Sequence, residues 1–265
     1  MGNGDDILTF AKLLAVGFWF CALVLAERRW PAAVVPARLA RAAEARRRLG
    51  RNLGLWCINL LLSPLIVLPI SYWAAAQQLS WRPVWWDGAA GLLLDLLLLD
   101  FLIYWWHRAN HVVPLLWRFH EVHHRDAFLD TTSALRFHFG EVLLSAMARA
   151  AVILLLAIPF QSVLIFEALV LLAALFHHSN LKIPPALEAA IARVIVTPSI
   201  HWVHHHAKRG DTDSNYATIL SLWDPLFGSR AGGRRRADML IGVEGRPGDL
   251  SLLTLLRRPF TKELR

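Results

Sequence analysis

The sequence predicts an all-α integral membrane protein: a bundle of four or five transmembrane helices with a cytoplasmic helical cap that holds a histidine-rich dimetal site. Three observations predict it. Apolar residues make up 56% of the 265 positions against 18% charged, and the mean hydropathy is +0.42. The apolar residues gather into runs of roughly 20, the length that crosses a hydrocarbon core of about 30 Å as a helix. The histidines, twelve in all, collect at one end of those runs in clusters spaced three and four apart.

The apolar runs cover residues 7–26, 53–76, 88–106 and 139–160. A fifth, 162–176, is shorter and reads as a tilted span or as the return arm of a hairpin turning at Pro159. In lipid every backbone N–H and C=O needs an internal partner, so these runs are expected as helices rather than strands. The acidic start Met-Gly-Asn-Gly-Asp-Asp lacks the basic end of a secretory signal, and the first run is long for a signal core, so it reads as a retained helix. Cys21 and Cys57 lie singly inside apolar runs without metal-type spacing and read as small buried hydrophobes.

The net charge of +8 does not point to nucleic acid, because the basic residues sit between the apolar runs, where they orient a membrane protein. Arg28, Arg29, Arg38, Arg41, Arg46, Arg47, Arg48 and Arg51 fall between the first two runs; between the second and third stands only Arg82, among Trp81, Trp85 and Trp86. The first loop is therefore expected in the cytoplasm and the N-terminus outside, which threads every histidine to the cytoplasmic side. The Ala- and Arg-rich composition points to a bacterial inner membrane, with the endoplasmic reticulum as the alternative. Three regions are expected: 1–98 with the first helices and basic loop, 99–229 with the histidines, and a basic tail, 230–265. In the tail, Gly232, Gly233 and Arg234 to Arg236 read as an exposed turn, and residues 250–256 as a short helix on the inner membrane face.

Residues three or four apart share a helix face. His107 and His111 form an i, i+4 pair; His120, His123 and His124 form an i, i+3, i+4 set, and so do His201, His204 and His205. With His178 these supply nine ligands, too many for one ion and suited to two. Imidazole serves Zn, Cu, Fe and Ni alike, so residue type does not choose the metal. His120-Glu121-Val122-His123-His124 also satisfies H-E-x-x-H, in which two histidines bind zinc and the glutamate is the base of a metalloprotease. An intramembrane zinc protease leaves the other histidines idle and wants the motif within a helix, whereas charged, interfacial residues flank it here. A non-catalytic metal carrier would line a path through the bilayer, yet Lys12, Asp95, Asp100, Arg149 and Glu167 are scattered among the spans while the histidines cap one end.

The boxes HRANH, HEVHH and HWVHH, in this order and spacing, resemble the sterol desaturase and fatty acid hydroxylase superfamily of membrane di-iron enzymes. The likeness extends to Asp100 through Arg108, to Thr132 through Glu141, to Phe176-His-His-Ser-Asn180, to Asp213-Ser-Asn-Tyr216 and to Leu222-Trp-Asp-Pro-Leu-Phe-Gly228, and it covers residues 100–229. The resemblance implies two iron ions (zinc in a purified form), dioxygen as oxidant, and hydroxylation or desaturation of a lipid or isoprenoid drawn from the bilayer. It implies His107, His111, His120, His123, His124, His178, His201, His204 and His205 as ligands. His138 is a further ligand or a partner of one. His177 doubles the histidine of the fourth step, with His178 taken as the ligand because Ser179 and Asn180 follow it. His206 extends the last box. Asp100, paired with a histidine from another helix, and Glu121, Asp126, Glu141 and Asp224 are candidates to hold the outer ring nitrogens. No dinucleotide or flavin motif is present, so a separate reductase or electron carrier is implied, and Arg230, Arg234, Arg235 and Arg236 either steer it or bind the inner leaflet.

Overall fold

The computed structural model describes residues 3–77, 81–246 and 248–261. The described residues are helical, joined by loops with isolated β-bridges only. The last four residues of the tail and the first two of the acidic N-terminus lie outside them.

Five helices are long and apolar enough to cross a membrane, as expected of an integral membrane protein. Helix α1 is Asn3–Arg29. Helix α2 runs over Ala42–Ala76 and passes through a π-helical turn at Ser63–Val67, where Pro64 cannot donate to the α-helical ladder. Helix α3 is Gly88–Val112, capped by the Asp87 carboxylate on the Gly88 N–H. Large side chains such as Ile7, Phe10, Leu65 and Leu93 are exposed on these helices, as lipid contact requires. Cys21 and Cys57 are also exposed, facing outward from the bundle rather than into its core.

The remaining spans settle the fifth run. Helix α4, Pro114–His124, lies outside the spans. Helix α5 is Phe139–Leu156 and helix α6 is Phe160–His178. As a helix the 139–160 run therefore ends four residues early, at Leu156, and Ala157 closes it in a left-handed conformation with φ 50°. Pro159 is the N-cap of α6, so the fifth element is a full span of 19 residues. The core between α2, α3, α5 and α6 is built from Ala74, Leu99, Ile153, Val163 and Phe166.

The turn from α3 into α4 positions the histidines. Val113 is extended at φ −86°, ψ 116°, as a residue preceding proline prefers, and Pro114 starts α4 where no N–H is needed. The chain folds back so that the end of α3 faces α4. Gly140, at the start of α5, permits the close approach of α4: a Cβ there would lie 2.4 Å from Phe119 Cε1.

Two parts of the chain differ from expectation. Arg48 and Arg51, counted among the orienting arginines, are tied into the protein. Arg48 bonds Asp126 at 2.6 and 2.8 Å and Asp130 at 2.5 Å, and Arg51 pairs with Asp249 at 2.7 Å. The tail is not merely a helix on the membrane face. Its helix Leu252–Arg257 packs Leu255 against Leu55 and Val122. Gly54 leaves the room, since a Cβ would meet Leu252 Cδ2 at 2.6 Å. Gly232, Gly233, Arg234 and Arg236 are exposed as expected, but Arg235 lies 3.9 Å over the Trp202 ring.

Candidate metal centre

The histidines at the ends of α3, α4 and α6 meet those of a short helix, α7, Pro198–His204. They form two groups. His107, His111, His120, His124 and His204 each offer a ring nitrogen within 4.8 Å of the others, and so do His123, His178, His201 and His205. The spacing explains the division. On α4, His120 and His124 are one turn apart and face the first group, while His123 is turned toward the second.

Six of the nine rings present Nδ1 to an acceptor on the far side from the group. His107 donates to the Tyr216 carbonyl at 2.7 Å, His120 to Glu141 Oε1 at 2.8 Å, and His123 to the Arg136 carbonyl at 3.1 Å. His178 donates to the Ala174 carbonyl at 2.7 Å and His204 to the Ser214 carbonyl at 2.6 Å. His111 approaches Asp213 Oδ1 at 3.4 Å. An Nδ1–H held this way fixes the tautomer, so the Nε2 lone pair points inward.

The inner nitrogens crowd one another. His178 Nε2 lies 3.0 Å from His123 Nε2 and 2.9 Å from His201 Nε2, and His205 Nε2 is 3.1 Å from His201 Nε2. In the first group His124 Nε2 is 3.2 Å from His120 Nε2. The Nε2 of His204 is buried with no hydrogen-bond partner among the described residues. His123 and His178 both have Nδ1 anchored, so their two Nε2 lone pairs at 3.0 Å repel unless something positive lies between them, and nitrogens about 2.1 Å from a common ion would stand this far apart. The residues present fit two metal ions.

Burial keeps the rings of His123, His124, His201, His204 and His205 neutral, as a metal ligand must be. His204 is pushed down to about 3 by burial and the neighbouring rings, against its bond to the Ser214 carbonyl. His123, His124, His201 and His205 are lowered well below the ordinary histidine value, by burial first and by neighbouring imidazoles next. Unfolded rings would take up protons near pH 6.5 while these native rings do not, so the unfolded state binds more protons as pH falls. This contribution to stability is complete above about pH 7 and declines below it. The metal-free protein is expected to melt lower at pH 5.5 than at pH 7.5 by scanning fluorimetry; an unchanged midpoint would contradict neutral buried rings.

The other candidate residues take separate places. His138 is in neither group: its Nδ1 caps α5 by accepting the Gly140 N–H, and its Nε2 meets the Leu256 carbonyl at 3.1 Å. His177 is in neither group; its ring lies 4.0 Å from that of His201, tilted by 45°. His206 turns outward to Asp211 Oδ2 at 2.7 Å. His206→Ala is expected to retain metal and activity, measured side by side with the unsubstituted protein; loss of metal would move the last box by one residue.

Among the acids, Glu141 alone of the candidates touches a grouped histidine, and it also accepts from Asn110 at 3.2 Å. Asp100 does not reach a histidine. It accepts the Trp223 indole N–H at 2.8 Å and the Leu220 N–H at 3.1 Å, tying α3 to the segment after the helix Pro198–His204. Asp224 accepts from the N–H groups of Tyr216 and Ala217 and so braces the segment whose carbonyl holds His107. Asp126 belongs to the Arg48 network.

Glu121 bears on the protease reading. H-E-x-x-H does lie within a helix, contrary to expectation, but the glutamate faces away from the histidines. It is engaged by Arg125 at 2.8 Å, Arg246 at 3.1 Å and Arg258 at 3.3 Å. A carboxylate neutralised by three guanidinium groups is not placed to be a base.

Sequence reasoning missed the backbone acceptors and Asp213. A signal was present in Asp213-Ser-Asn-Tyr216. Asn215 takes a left-handed φ of 53°, which asparagine tolerates better than most residues. The carbonyls on either side of it receive His204 and His107.

A membrane-spanning helical protein with a buried histidine-rich metal site at one end of its bundle is the class these features define. The sequence profile of the family described as fatty acid hydroxylase matches residues 92–229, and the chain belongs to that family. It is 27% identical over 200 residues to the ornithine lipid hydroxylase OlsE of Rhizobium tropici, covering 76% of this chain and 59% of that protein. It is 34% identical over 151 residues to the alkylglycerol monooxygenase of Danio rerio, covering 55% and 32%. It is 31% identical over 175 residues to a cholesterol 25-hydroxylase-like protein of Danio rerio, covering 62% and 66%. The chain thus spans between about a third and two thirds of the length of these relatives. No solved structure matches it.

Proposed function

We propose that the protein is a membrane-bound di-iron oxygenase that hydroxylates a C–H bond of a lipid-like substrate with dioxygen. The observation that carries this reading is the gathering of nine imidazoles into groups of five and four, six of them with Nδ1 anchored so that Nε2 turns inward. His107, His111, His120, His124 and His204 would hold one ion, and His123, His178, His201 and His205 the other. Two irons would supply the redox chemistry that splits dioxygen. Hydroxylation is favoured over desaturation because the similar proteins are hydroxylases and a monooxygenase by name.

The chain's own residues bind, orient and exclude water. Glu141 and the carbonyls of Tyr216, Ser214 and Arg136 keep the rings in one tautomer and one orientation. A cavity of about 300 Å³ opens beside both groups, with Ile103, Phe137, Phe166 and Ala174 among its walls. Its apolar lining suits a hydrocarbon chain and discourages water. One oxygen atom enters the C–H bond and the other leaves as water, which takes two electrons and two protons. A separate carrier provides the electrons. Arg230, Arg234 and Arg236 are exposed and available to an acidic carrier or to anionic lipid, whereas Arg235 is spent on Trp202. The histidine end is assigned to the cytoplasmic face, most simply of a bacterial inner membrane, from the arginines of the loop between α1 and α2.

The test is lipidomics of cells with and without the protein. A lipid class gaining the mass of one oxygen is the expected result; loss of two hydrogens would mean desaturation, and no change in any lipid would overturn the reading.

A further inference from the structure

The cavity beside the histidines does not end in hydrocarbon. Its other end is formed by Lys12 of α1, Arg149 of α5 and Glu167 of α6. Glu167 receives Lys12 at 2.7 Å and Arg149 at 3.1 Å. Glu167 lies eleven residues before His178 on α6 and Arg149 eight after Glu141 on α5, which places the trio roughly 12–16 Å from the metal groups along the bundle. That depth is within the spans, in the half of the bilayer away from the histidines.

Charge is the notable feature. Two cations share one carboxylate, so the trio carries a net positive charge where charge is costly. Glu141, the other carboxylate lining the cavity, is held at the opposite end by His120 and Asn110. The Nε of Arg149 is buried and has no hydrogen-bond partner among the described residues. The second cation leaves the trio positive, and an anion entering the cavity would complete neutrality.

We propose that Arg149 and Lys12 bind the anionic end of a single-chain amphiphile, a carboxylate or phosphate ester, whose chain runs down the cavity to the histidines. This rests on the oxygenase reading only for which part of the chain reacts. The separation corresponds to roughly a dozen chain carbons, each adding somewhat less than a C–C bond of about 1.5 Å. The trio then acts as a ruler: oxidation falls at a fixed distance from the charged end, not from the methyl end.

Trp106 lines the same cavity and reports binding without turnover. The probes are a long-chain fatty acid brominated near mid-chain, its methyl ester, and the matching brominated alkyl phosphate, added to the purified full-length protein in neutral detergent. Quenching that disappears in Trp106→Phe counts as cavity binding. The acid or the phosphate is expected to bind about tenfold or more tightly than the ester, as a charge-assisted contact gives, and the tighter of the two identifies the head group. Arg149→Gln is expected to abolish that preference. Glu167→Gln, which frees both cations, is expected to strengthen it, an effect opposite to the weakening that loss of a purely structural ion pair would cause. Equal binding of acid, phosphate and ester, or weaker anion binding in Glu167→Gln, overturns the proposal. Because quenching needs no oxidation, failure of the oxygenase reading leaves this measurement intact, and failure of the anion site leaves hydroxylation intact.

Discussion

His123→Ala is expected, on the proposed two-metal assignment, to remove one metal and lower oxidation by at least about 100-fold, given that loss of outer partners alone costs 10–100-fold. The group to which His123 belongs has four rings, and the substitution leaves three. Its imidazole also stacks on Phe137 at 4.3 Å and is anchored by the Arg136 carbonyl, which fix its place in the group. The first group does not draw on His123, so one metal should remain. Metal analysis and product formation on the same preparation check both halves. Full metal content with normal turnover would remove His123 from the site.

Asp126→Ala is expected to destabilise the protein by roughly 3–5 kcal/mol, the cost of leaving a buried cation without its partner. Asp126 is fully buried and accepts both arms of Arg48, the Ser133 hydroxyl at 2.9 Å and Asn52 at 3.2 Å. Burial by itself would raise its carboxyl, but Arg48 and then Arg136 outweigh that and hold it at about 2. The pair's contribution is therefore present above the ordinary carboxylate value and lost only as pH falls through about 2. Asp126 follows the His120–His124 box by two residues, so the same change should loosen the end of α4 and reduce metal retention. Thermal unfolding checks it; a midpoint equal to that of the unsubstituted protein would show Asp130 sufficing for Arg48.

Much of this centre is legible in the sequence because its information is local. Three- and four-residue spacing puts His120 and His124 on one face, and Pro114 marks where α3 must turn. The five apolar runs follow from length and composition, although the fifth is full length because Pro159 caps α6 instead of merely turning a hairpin. What escaped is non-local. Whether Glu141 rather than Asp100 meets a histidine depends on how α5 and α3 sit against α4, and no spacing encodes that. The acceptors for His107, His123, His178 and His204 are carbonyls, which every residue possesses. Arg48 and Arg51 look like orienting charges until Asp126 and Asp249 are brought to them from 78 and 198 residues away. The role of Glu121 is likewise hidden, since a tail more than a hundred residues later supplies Arg246 and Arg258.

The central claim is that nine converging imidazoles hold a pair of redox metals. Elemental analysis of the purified full-length protein, with Mössbauer spectroscopy of iron-57-enriched material, tests it most directly. Two irons per chain in histidine-rich environments are the expected result. A single zinc per chain, or protein that folds fully and never takes up a second metal under iron-replete conditions, would contradict it.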